Sequence, residues 1–201
     1  MQIRCALVGM PGSGKSTVGR HLAQRLKVPF IDLDHQLEQV LKTSIRQFFE
    51  AEGEARFRDI EAQVLAKVTA RPGGMVLSTG GGAVLRPENR QVLRDFGNVL
   101  YLRASPEEIF KRVKHDRTRP LLQVNNPLQK LRELYAQRDA LYRDAATYVI
   151  ETGRPTVQTL VNMIMMQLEM AQGAQEPQVP QDPSGTADAP TPLGKPHAEG
   201  F

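Results

Sequence analysis

The glycine-rich segment 9–17 constrains the fold of this chain more than any other part of its sequence. It reads Gly9-Met10-Pro11-Gly12-Ser13-Gly14-Lys15-Ser16-Thr17 and fits the pattern G-x-x-x-x-G-K-[ST] without a mismatch. A short apolar run at 3–8 precedes it, and a helical pattern at 16–26 follows it. A strand, a glycine loop and a helix in this order form a phosphate-binding loop, in which backbone N–H groups converge on an anion at the positive end of the helix. The competing interpretation, a simple glycine-rich turn beside a lysine, is disfavoured by the full match in this context.

The residue types in this segment predict how it holds phosphate. Gly12 and Gly14 let the backbone curl around the anion. Lys15 can reach the β- and γ-phosphates of a nucleotide, and the hydroxyl of Ser16 can ligate Mg²⁺. The candidate nucleotide-binding residues here are Gly12, Ser13, Gly14, Lys15, Ser16 and Thr17.

Strand and helix patterns alternate along the rest of the chain. Short apolar runs predict strands at 3–8, 28–32, 75–78, 99–102 and 148–150. Helical patterns lie between and after them at 16–26, 35–41, 53–70, 87–96, 106–114, 128–142 and 156–170. This alternation predicts an α/β fold with a doubly wound, five-stranded parallel sheet, and ligands of such sheets bind beyond the carboxyl ends of the strands.

Composition separates a basic body from an acidic, proline-rich end. The 201 residues contain 26 Lys and Arg against 22 Asp and Glu, a formal charge of +4 that favours anionic partners. Residues 172–201 hold six of the 14 prolines, four acids, one base and few large apolar side chains. They are predicted to form a disordered tail, so that 1–171 is the folded domain and carries a charge of +7.

The same counts exclude several classes of protein. A single cysteine, Cys5, cannot form an intrachain disulfide, and no run approaches the roughly 18 apolar residues of a membrane span. Because the first predicted strand begins at residue 3, we expect no removable signal segment before it. A cytoplasmic protein, monomeric by default, is the expectation.

Two carboxylates follow the second predicted strand. Asp32 and Asp34 are two positions apart in an extended segment, so both side chains face the cleft beyond the strand end. One can hold Mg²⁺ through water, while the other accepts a proton or a hydrogen bond from a substrate hydroxyl. Alternatively one of them, Asp34 above all, only caps the next helix.

Two arginines on helical patterns are candidates for binding an anion. Arg58 lies at the edge of an apolar stripe, but Glu54 and Glu61 stand at the spacing of helix-surface ion pairs, and spacing alone leaves both interpretations open. Arg138 occupies a position where the flanking apolar residues predict an apolar side chain. A buried guanidinium needs an anion, so either an internal acid or a ligand carboxylate or phosphate pairs with it.

Glycines and basic residues follow two further strands. Gly80, Gly81 and Gly82 stand directly after the third strand, where the missing side chains let a ligand approach the backbone, although a flexible turn would also suffice. Five basic residues cluster between 111 and 119, which suits a lid that closes over nucleotide phosphates. A solvated face or a nucleic-acid patch is the alternative, and the lack of aromatic residues here disfavours nucleic acid.

Taken together, these residues resemble the shikimate kinase family over essentially all of 1–171. Besides the phosphate loop, the matching pieces are Asp32-x-Asp34, Phe57-Arg58-x-x-Glu61, Gly80-Gly81-Gly82, Arg119-Pro120-Leu121-Leu122 and Arg138-x-x-Leu141-Tyr142. The phosphate loop is common to many kinases, whereas the other pieces in this order are far more specific. The resemblance implies a three-layer α/β/α fold of nucleoside-monophosphate-kinase type, with strand order 2-3-1-4-5 and a lid at about 112–122.

The resemblance also implies a reaction, the transfer of the γ-phosphoryl group of ATP to the 3-hydroxyl of shikimate. The products are shikimate 3-phosphate and ADP, on the route to chorismate and the aromatic amino acids. In this family pattern Asp34 orients the substrate hydroxyls and acts as base. Arg58 and Arg138 grip the carboxylate beside the backbone of Gly80, Gly81 and Gly82.

On the nucleotide side, the family pattern assigns charge stabilisation of the phosphoryl group to Lys15 and to the lid residue Arg119. Ser16 holds Mg²⁺ in this pattern, with Asp32 helping through water. Arg112 and Arg154 stand where the family lines the adenine.

Other functions remain open at the level of the sequence. Gluconate kinase or a nucleoside monophosphate kinase shares the loop and the fold, and gluconate also carries a carboxylate. The joint presence of Asp34, Arg58 and Arg138 with three glycines distinguishes shikimate kinase. A nucleotide-dependent switch that signals through its tail would bind ATP without turning over a small acid. The expected partners are ATP and shikimate, with neither nucleic acid nor a membrane.

Overall fold

The structure is a computed structural model that describes residues 3–114 and 126–173. Its strands are β1 Arg4–Val8, β2 Phe30–Asp32, β3 Met75–Ser78, β4 Asn98–Arg103 and β5 Tyr148–Glu151. Its helices are α1 Lys15–Leu26, α2 Leu33–Leu41, α3 Ile45–Thr69, α4 Pro87–Phe96, α5 Pro106–Val113, α6 Pro127–Ala145 and α7 Val157–Gly173. A short 3₁₀ turn, Ala83–Leu85, follows β3.

The strands form one five-stranded parallel sheet with the order β2-β3-β1-β4-β5. β1 lies at its centre, and its last four residues are completely buried. One hydrophobic cluster joins one face of the sheet to α1 and α7, and a second joins the other face to α2, α3, α4, α5 and α6. The predicted three-layer α/β/α fold and its strand order are confirmed.

Local sequence signals set several helix starts. Proline stands at the first position of α4, α5 and α6, where its missing N–H costs nothing. Ser105 and Glu108 form a capping box at the start of α5, and Ser44 and Gln47 form another at the start of α3.

The longest helix differs from its prediction. The pattern at 53–70 predicts a helix that starts at Gly53, but α3 begins at Ile45 and bends at Gly53, whose φ of 78° is left-handed. The capping box at Ser44 starts the earlier helical piece, which the apolar periodicity does not reveal. Only glycine adopts this backbone conformation without strain, so Gly53 joins two helical pieces into one element.

Some expectations fall outside the described residues. Arg119, with most of the predicted lid at 112–122, belongs to this group, and so does the predicted tail after Gly173. Helix α7 itself continues to Gly173, two residues into the segment 172–201. Within the described residues, none of the helices combines the length and the apolar character needed to cross a membrane.

Candidate functional site

The phosphate loop connects β1 to α1 at the carboxyl end of the sheet. Gly12 and Gly14 have φ angles of 84° and 98°, in the left-handed region that glycine adopts without strain. The N–H of Ser13 donates to the carbonyl of Met10 at 3.1 Å, which closes the loop. Gly14 then caps the first turn of α1, so the positive end of this helix faces the curl of the loop.

Lys15 lies across the mouth of this loop. Its side chain is 8% exposed, and its Nζ donates to the carbonyls of Gly9 at 2.9 Å and Met10 at 3.0 Å. These bonds hold the ammonium group next to the place where the phosphates of a nucleotide would bind. Its charge lowers the pKa of the nearby carboxyl of Asp34.

A hydroxyl and a carboxylate meet behind the loop. The Ser16 hydroxyl donates to Oδ2 of Asp32 at 2.7 Å, and it lies 3.4 Å from the hydroxyl of Ser78 at the end of β3. Oδ1 of Asp32 accepts a hydrogen bond from the N–H of Asp34 at 3.1 Å and caps α2. The alternative in which Asp34 only caps the helix does not apply, because Asp32 is the cap and the Asp34 carboxylate lines the cleft.

Asp34 stands in the first turn of α2, on the wall of the cleft. The residue as a whole is exposed, but surrounding protein crowds its carboxylate. This partial removal of the carboxylate from water raises its pKa to about 6. Lys15 lowers this pKa, while the negative charges of Asp32, Glu61 and Glu38 raise it further. The carboxyl group therefore changes its charge close to neutral pH, which is the range that suits a proton acceptor.

The three glycines after β3 each lie against a different part of the site. A Cβ on Gly80 would come within 2.6 Å of Oδ1 of Asp34, and one on Gly81 within 2.7 Å of the Pro11 ring. A Cβ on Gly82 would meet the guanidinium of Arg58 at 2.3 Å. A side chain at Gly81 would collide with the rigid ring of Pro11, and one at Gly80 or Gly82 would displace the functional group of Asp34 or Arg58, so the run does more than form a flexible turn.

Arg58 is held by two glutamates of its own helix. Its Nη1 donates to Oε2 of Glu61 at 2.7 Å, and its Nε and Nη2 donate to Oε1 of Glu54 at 3.2 and 3.0 Å. Glu61 is 1% exposed and Arg58 13%, so this pair is not a solvated surface bridge. Burial raises the pKa of Glu61 more than the charge of Arg58 lowers it. Burial alone would lower the pKa of Arg58, but the carboxylates of Glu61 and Glu54 raise it above its ordinary value, so Arg58 remains charged.

Arg138 differs from Arg58 because it forms no ion pair with any Asp or Glu in the described parts of the chain. Its Nη1 donates to the carbonyl of Gly81 at 3.3 Å, and its buried Nε has no hydrogen-bond partner. Of the two interpretations of this half-buried arginine, the described residues favour the one in which a ligand anion pairs with it, since none of their acids does. Its charge acts on Glu61 from a distance and lowers the pKa of that carboxyl.

Arg112, at the end of α5, packs behind the phosphate loop. Its Nη1 donates to the carbonyl of Ser13 at 3.4 Å and to the hydroxyl of Thr152 at 3.2 Å, and its Nη2 donates to the carbonyl of Thr152. The structure thus places one of the two predicted adenine-lining arginines, Arg112, against the phosphate loop. The other, Arg154, lies two residues after Thr152 and is exposed.

An open cavity of about 430 Å³ lies between these elements. Its lining comprises Pro11, Gly12, Gly14, Lys15, Ser16, Thr17, Asp34, Ser78, Thr79, Gly81, Arg112 and Val113. Asp34 therefore shares one cavity with every candidate residue of the phosphate loop except Ser13. Arg58 and Arg138 do not line this cavity; Arg138 contacts the carbonyl of Gly81, and the guanidinium of Arg58 lies against Gly82.

Two residues of the site were not predicted from the sequence. Ser78 is a polar residue that ends a buried strand, and this is the only signal that marks it. Tyr142 ends the piece Arg138-x-x-Leu141-Tyr142, yet nothing in the sequence indicates that its hydroxyl donates to the carbonyl of Gly81 at 2.5 Å.

Comparison with known proteins gives a consistent result. A protein-family model described as Shikimate kinase matches residues 11–169. The shikimate kinase of Paracidovorax citrulli is 58% identical over 85% of this chain and 94% of that protein. That of Ralstonia nicotianae is 56% identical over 82% and 86%. The solved structure of shikimate kinase from Acinetobacter baumannii in complex with shikimate aligns with a TM-score of 0.79 and 44% identity, covering 86% of this chain and 95% of that chain.

Proposed function

The chain belongs to the shikimate kinase family, and from that premise we propose that it transfers the γ-phosphoryl group of ATP to the 3-hydroxyl of shikimate. The products are shikimate 3-phosphate and ADP. The observation that carries the proposal is Arg138, a half-buried arginine with no described acid as its partner, beside a complete phosphate loop. Such a guanidinium calls for a carboxylate ligand, and shikimate supplies one.

The acceptor binds between the glycine run and two arginines. Arg138 and Arg58 pair with the carboxylate of shikimate, and Asp34 accepts hydrogen bonds from its hydroxyl groups. The backbone of Gly80, Gly81 and Gly82 contacts the ring, and side chains at these positions would displace Asp34 and Arg58 or collide with Pro11. Arg58 binds this carboxylate through the guanidinium N–H groups that Glu54 and Glu61 do not use.

The phosphate loop binds ATP with its γ-phosphate towards Asp34. The backbone of Gly12, Ser13 and Gly14 surrounds the phosphates, and Lys15 stabilises the charge of the transferring group. Arg119 adds a second positive charge, and Arg112 and Arg154 line the adenine; these three roles rest on the family pattern. Thr17 completes the loop at the first turn of α1.

The donor set behind the loop fits Mg²⁺. Ser16 and Asp32 supply one hydroxyl and one carboxylate within hydrogen-bond distance of each other, and Mg²⁺ in kinases takes one or two such protein ligands besides phosphate oxygens and water. When bound, the ion neutralises charge on the β- and γ-phosphates. Ser16 would ligate it directly, and Asp32 through water.

The chemical step needs a proton acceptor and an oriented hydroxyl. The oxygen of the 3-hydroxyl bonds to the γ-phosphorus while the bond from that phosphorus to the bridging oxygen of ADP breaks. The hydroxyl proton passes to the Asp34 carboxylate, whose pKa of about 6 makes it a base at neutral pH. Most of the acceleration comes from positioning and charge stabilisation, as is general for phosphoryl transfer.

We also propose that the enzyme acts as a cytoplasmic monomer, without nucleic acid or a membrane as partner. In support, Asp34 lines the same cavity as the phosphate loop of its own chain. Light scattering coupled to size exclusion tests the monomer, and a dimer mass at micromolar concentration would contradict it.

The direct test is ADP release by the purified full-length protein with Mg²⁺ and ATP. We expect release that depends on shikimate, with gluconate and AMP as the matched controls, and ³¹P NMR of the product should place phosphate on the 3-oxygen. Turnover of gluconate or AMP instead would contradict the assignment. Tight ATP binding without turnover of any acid would favour a nucleotide-dependent switch.

A further inference from the structure

The hydroxyl of Tyr142 shares an acceptor with Arg138. Both residues lie on α6, and both donate to the carbonyl of Gly81, Tyr142 at 2.5 Å and Nη1 of Arg138 at 3.3 Å. Tyr142 is completely buried, so its hydroxyl is removed from water and the carbonyl of Gly81 is its one oxygen acceptor among the described residues.

The same hydroxyl lies where the phosphate loop meets the glycine run. The hydroxyl oxygen of Tyr142 lies 4.0 Å from the sulfur of Met10. The backbone carbonyl of Met10 in turn accepts a hydrogen bond from Lys15. The neighbouring Pro11 packs so closely on Gly81 that a Cβ there would be 2.7 Å away. Tyr142 therefore connects the carbonyl of Gly81 to the residues that shape the nucleotide side.

The ring of Tyr142 is fixed on its other side. It stacks on Tyr101 of β4 with ring centres 5.0 Å apart, and the hydroxyl of Tyr101 donates to Asp139 at 2.8 Å. Burial raises the pKa of Tyr142 to about 12, so its hydroxyl keeps its proton over the whole working range. A rigid ring thus presents a permanent donor to the backbone of the glycine run.

Three consecutive glycines have more backbone freedom than any other tripeptide, and a binding surface made of them must be ordered before a ligand gains from it. We propose that Tyr142 is a positioning residue for the acceptor: its hydroxyl fixes the carbonyl of Gly81, and with it the glycine backbone and the guanidinium of Arg138, in the arrangement that receives shikimate. This rests on the proposed function.

The test compares Tyr142→Phe with Tyr101→Phe as a matched control. Each variant removes one buried phenolic hydroxyl from the same stacked pair, but only Tyr142→Phe removes a hydrogen bond to the carbonyl of Gly81. For Tyr142→Phe we expect the KM for shikimate to rise about three- to tenfold, the equivalent of one hydrogen bond. The kcat and the KM for ATP should stay within about twofold, and Tyr101→Phe should leave all three constants within about twofold.

A purely structural role for Tyr142 gives a different result. Both variants would then lower the melting temperature while the KM for shikimate stayed unchanged, and this outcome overturns the proposal. An equal rise in KM for both variants also overturns it, because Tyr101 does not contact the glycine run.

A double-mutant cycle gives a second measurement. Tyr142→Phe combined with Arg138→Lys should be non-additive in the KM for shikimate, because both side chains act through one carbonyl. Tyr101→Phe combined with Arg138→Lys should be additive. Additivity in both cycles contradicts a shared action through Gly81.

Hydrogen exchange separates failure of this inference from failure of the proposed function. Amide exchange at 79–83 should be faster in Tyr142→Phe than in Tyr101→Phe without any substrate present. A wild-type protein without shikimate-dependent ADP release defeats the function while leaving this exchange difference intact. Equal exchange in the two variants, with an active wild type, defeats the inference alone.

Discussion

The phosphate loop closes on itself through hydrogen bonds within a few residues of the chain, whereas the glycine run at 80–82 receives side chains from tens of residues away. Lys15 bonds to carbonyls five and six positions before it. Gly81 instead accepts hydrogen bonds from side chains 57 and 61 positions away. The curl of the phosphate loop is thus a local motif, although Arg112 contacts it from 99 positions away. The acceptor side exists only when β3, α2, α3 and α6 have packed together.

This difference has an energetic counterpart in the two candidate carboxylate-binding arginines. Arg58 is already bound to Glu61, which is 1% exposed, so it contributes to the fold as well as to the site. Arg138 has no such partner among the described residues and keeps its charge for a ligand. A substitution of Arg58 therefore tests packing and ligand binding together, whereas a substitution of Arg138 tests ligand binding.

The largest effect is expected on the nucleotide side. Lys15→Ala removes the ammonium group that faces the transferring phosphoryl group, and we expect kcat to fall at least about 100-fold, as for other groups that stabilise transition-state charge. Steady-state ADP release measures it, with the melting temperature as control for folding. A loss of less than tenfold in a folded variant contradicts the role of Lys15 and would remove the contrast between the two sides.

On the acceptor side, Arg138→Ala should raise the KM for shikimate about 10- to 100-fold, since hydrogen bonds to charged groups contribute about 1.5–3 kcal/mol. The KM for ATP and the melting temperature should change little, because Arg138 forms no ion pair with described residues. Steady-state kinetics and thermal unfolding measure these quantities. An unchanged KM for shikimate means that Arg138 has no part in carboxylate binding.

Arg58→Ala sharpens the comparison, because it leaves Glu61 buried without its cation. We expect a loss of about 3 kcal/mol in the free energy of unfolding, measured by denaturant titration, besides a higher KM for shikimate. The variant Arg58→Ala/Glu61→Gln should regain part of the stability but none of the affinity. If Arg58→Ala were as stable as wild type, the pair would not be the buried contact described above.

How far the sequence predicted the molecule follows the same division. The phosphate loop, its strand and its helix were predictable because the motif is contiguous and each residue type has a local reason. The helix cap was the uncertain point at Asp32 and Asp34, since spacing allows either acid to cap α2 and does not show that Asp32 does so. Ser78 and Tyr142 stayed hidden because their partners lie 61 or 62 positions away, at distances that no periodic pattern encodes.

A pH effect should appear on the acceptor side. The pKa of Asp34, at about 6, lies above the ordinary value of 3.8, so the carboxylate loses its charge as the pH falls through 6. Because the charged form accepts the hydrogen bonds of the substrate hydroxyls, shikimate affinity for the free protein should fall between pH 7.5 and 5, while the shikimate carboxylate, with a pKa of about 4, stays ionised.

Calorimetric titration with shikimate measures this dependence, and Asp34→Asn is its control. The variant should bind weakly at every pH and lose the transition near 6. It should also melt at a higher temperature than wild type at pH 7.5, because the raised pKa of Asp34 means that its charge destabilises the folded state there. A wild-type affinity that does not change across this range contradicts the role of Asp34 as a charged acceptor.

The smallest effect is expected at Ser78, where the two sides meet. Its hydroxyl is 3.4 Å from that of Ser16, a weak contact, while Asp32 holds Ser16 at 2.7 Å. Ser78→Ala should therefore raise the Mg²⁺ concentration needed for half-maximal turnover by no more than about threefold, whereas Asp32→Asn should raise it about tenfold or more. Titrating Mg²⁺ at fixed ATP measures both. Equal shifts in the two variants would place Ser78 beside Asp32 as a determinant of metal binding, and the metal site would then depend on the long-range packing of β3 as the acceptor side does.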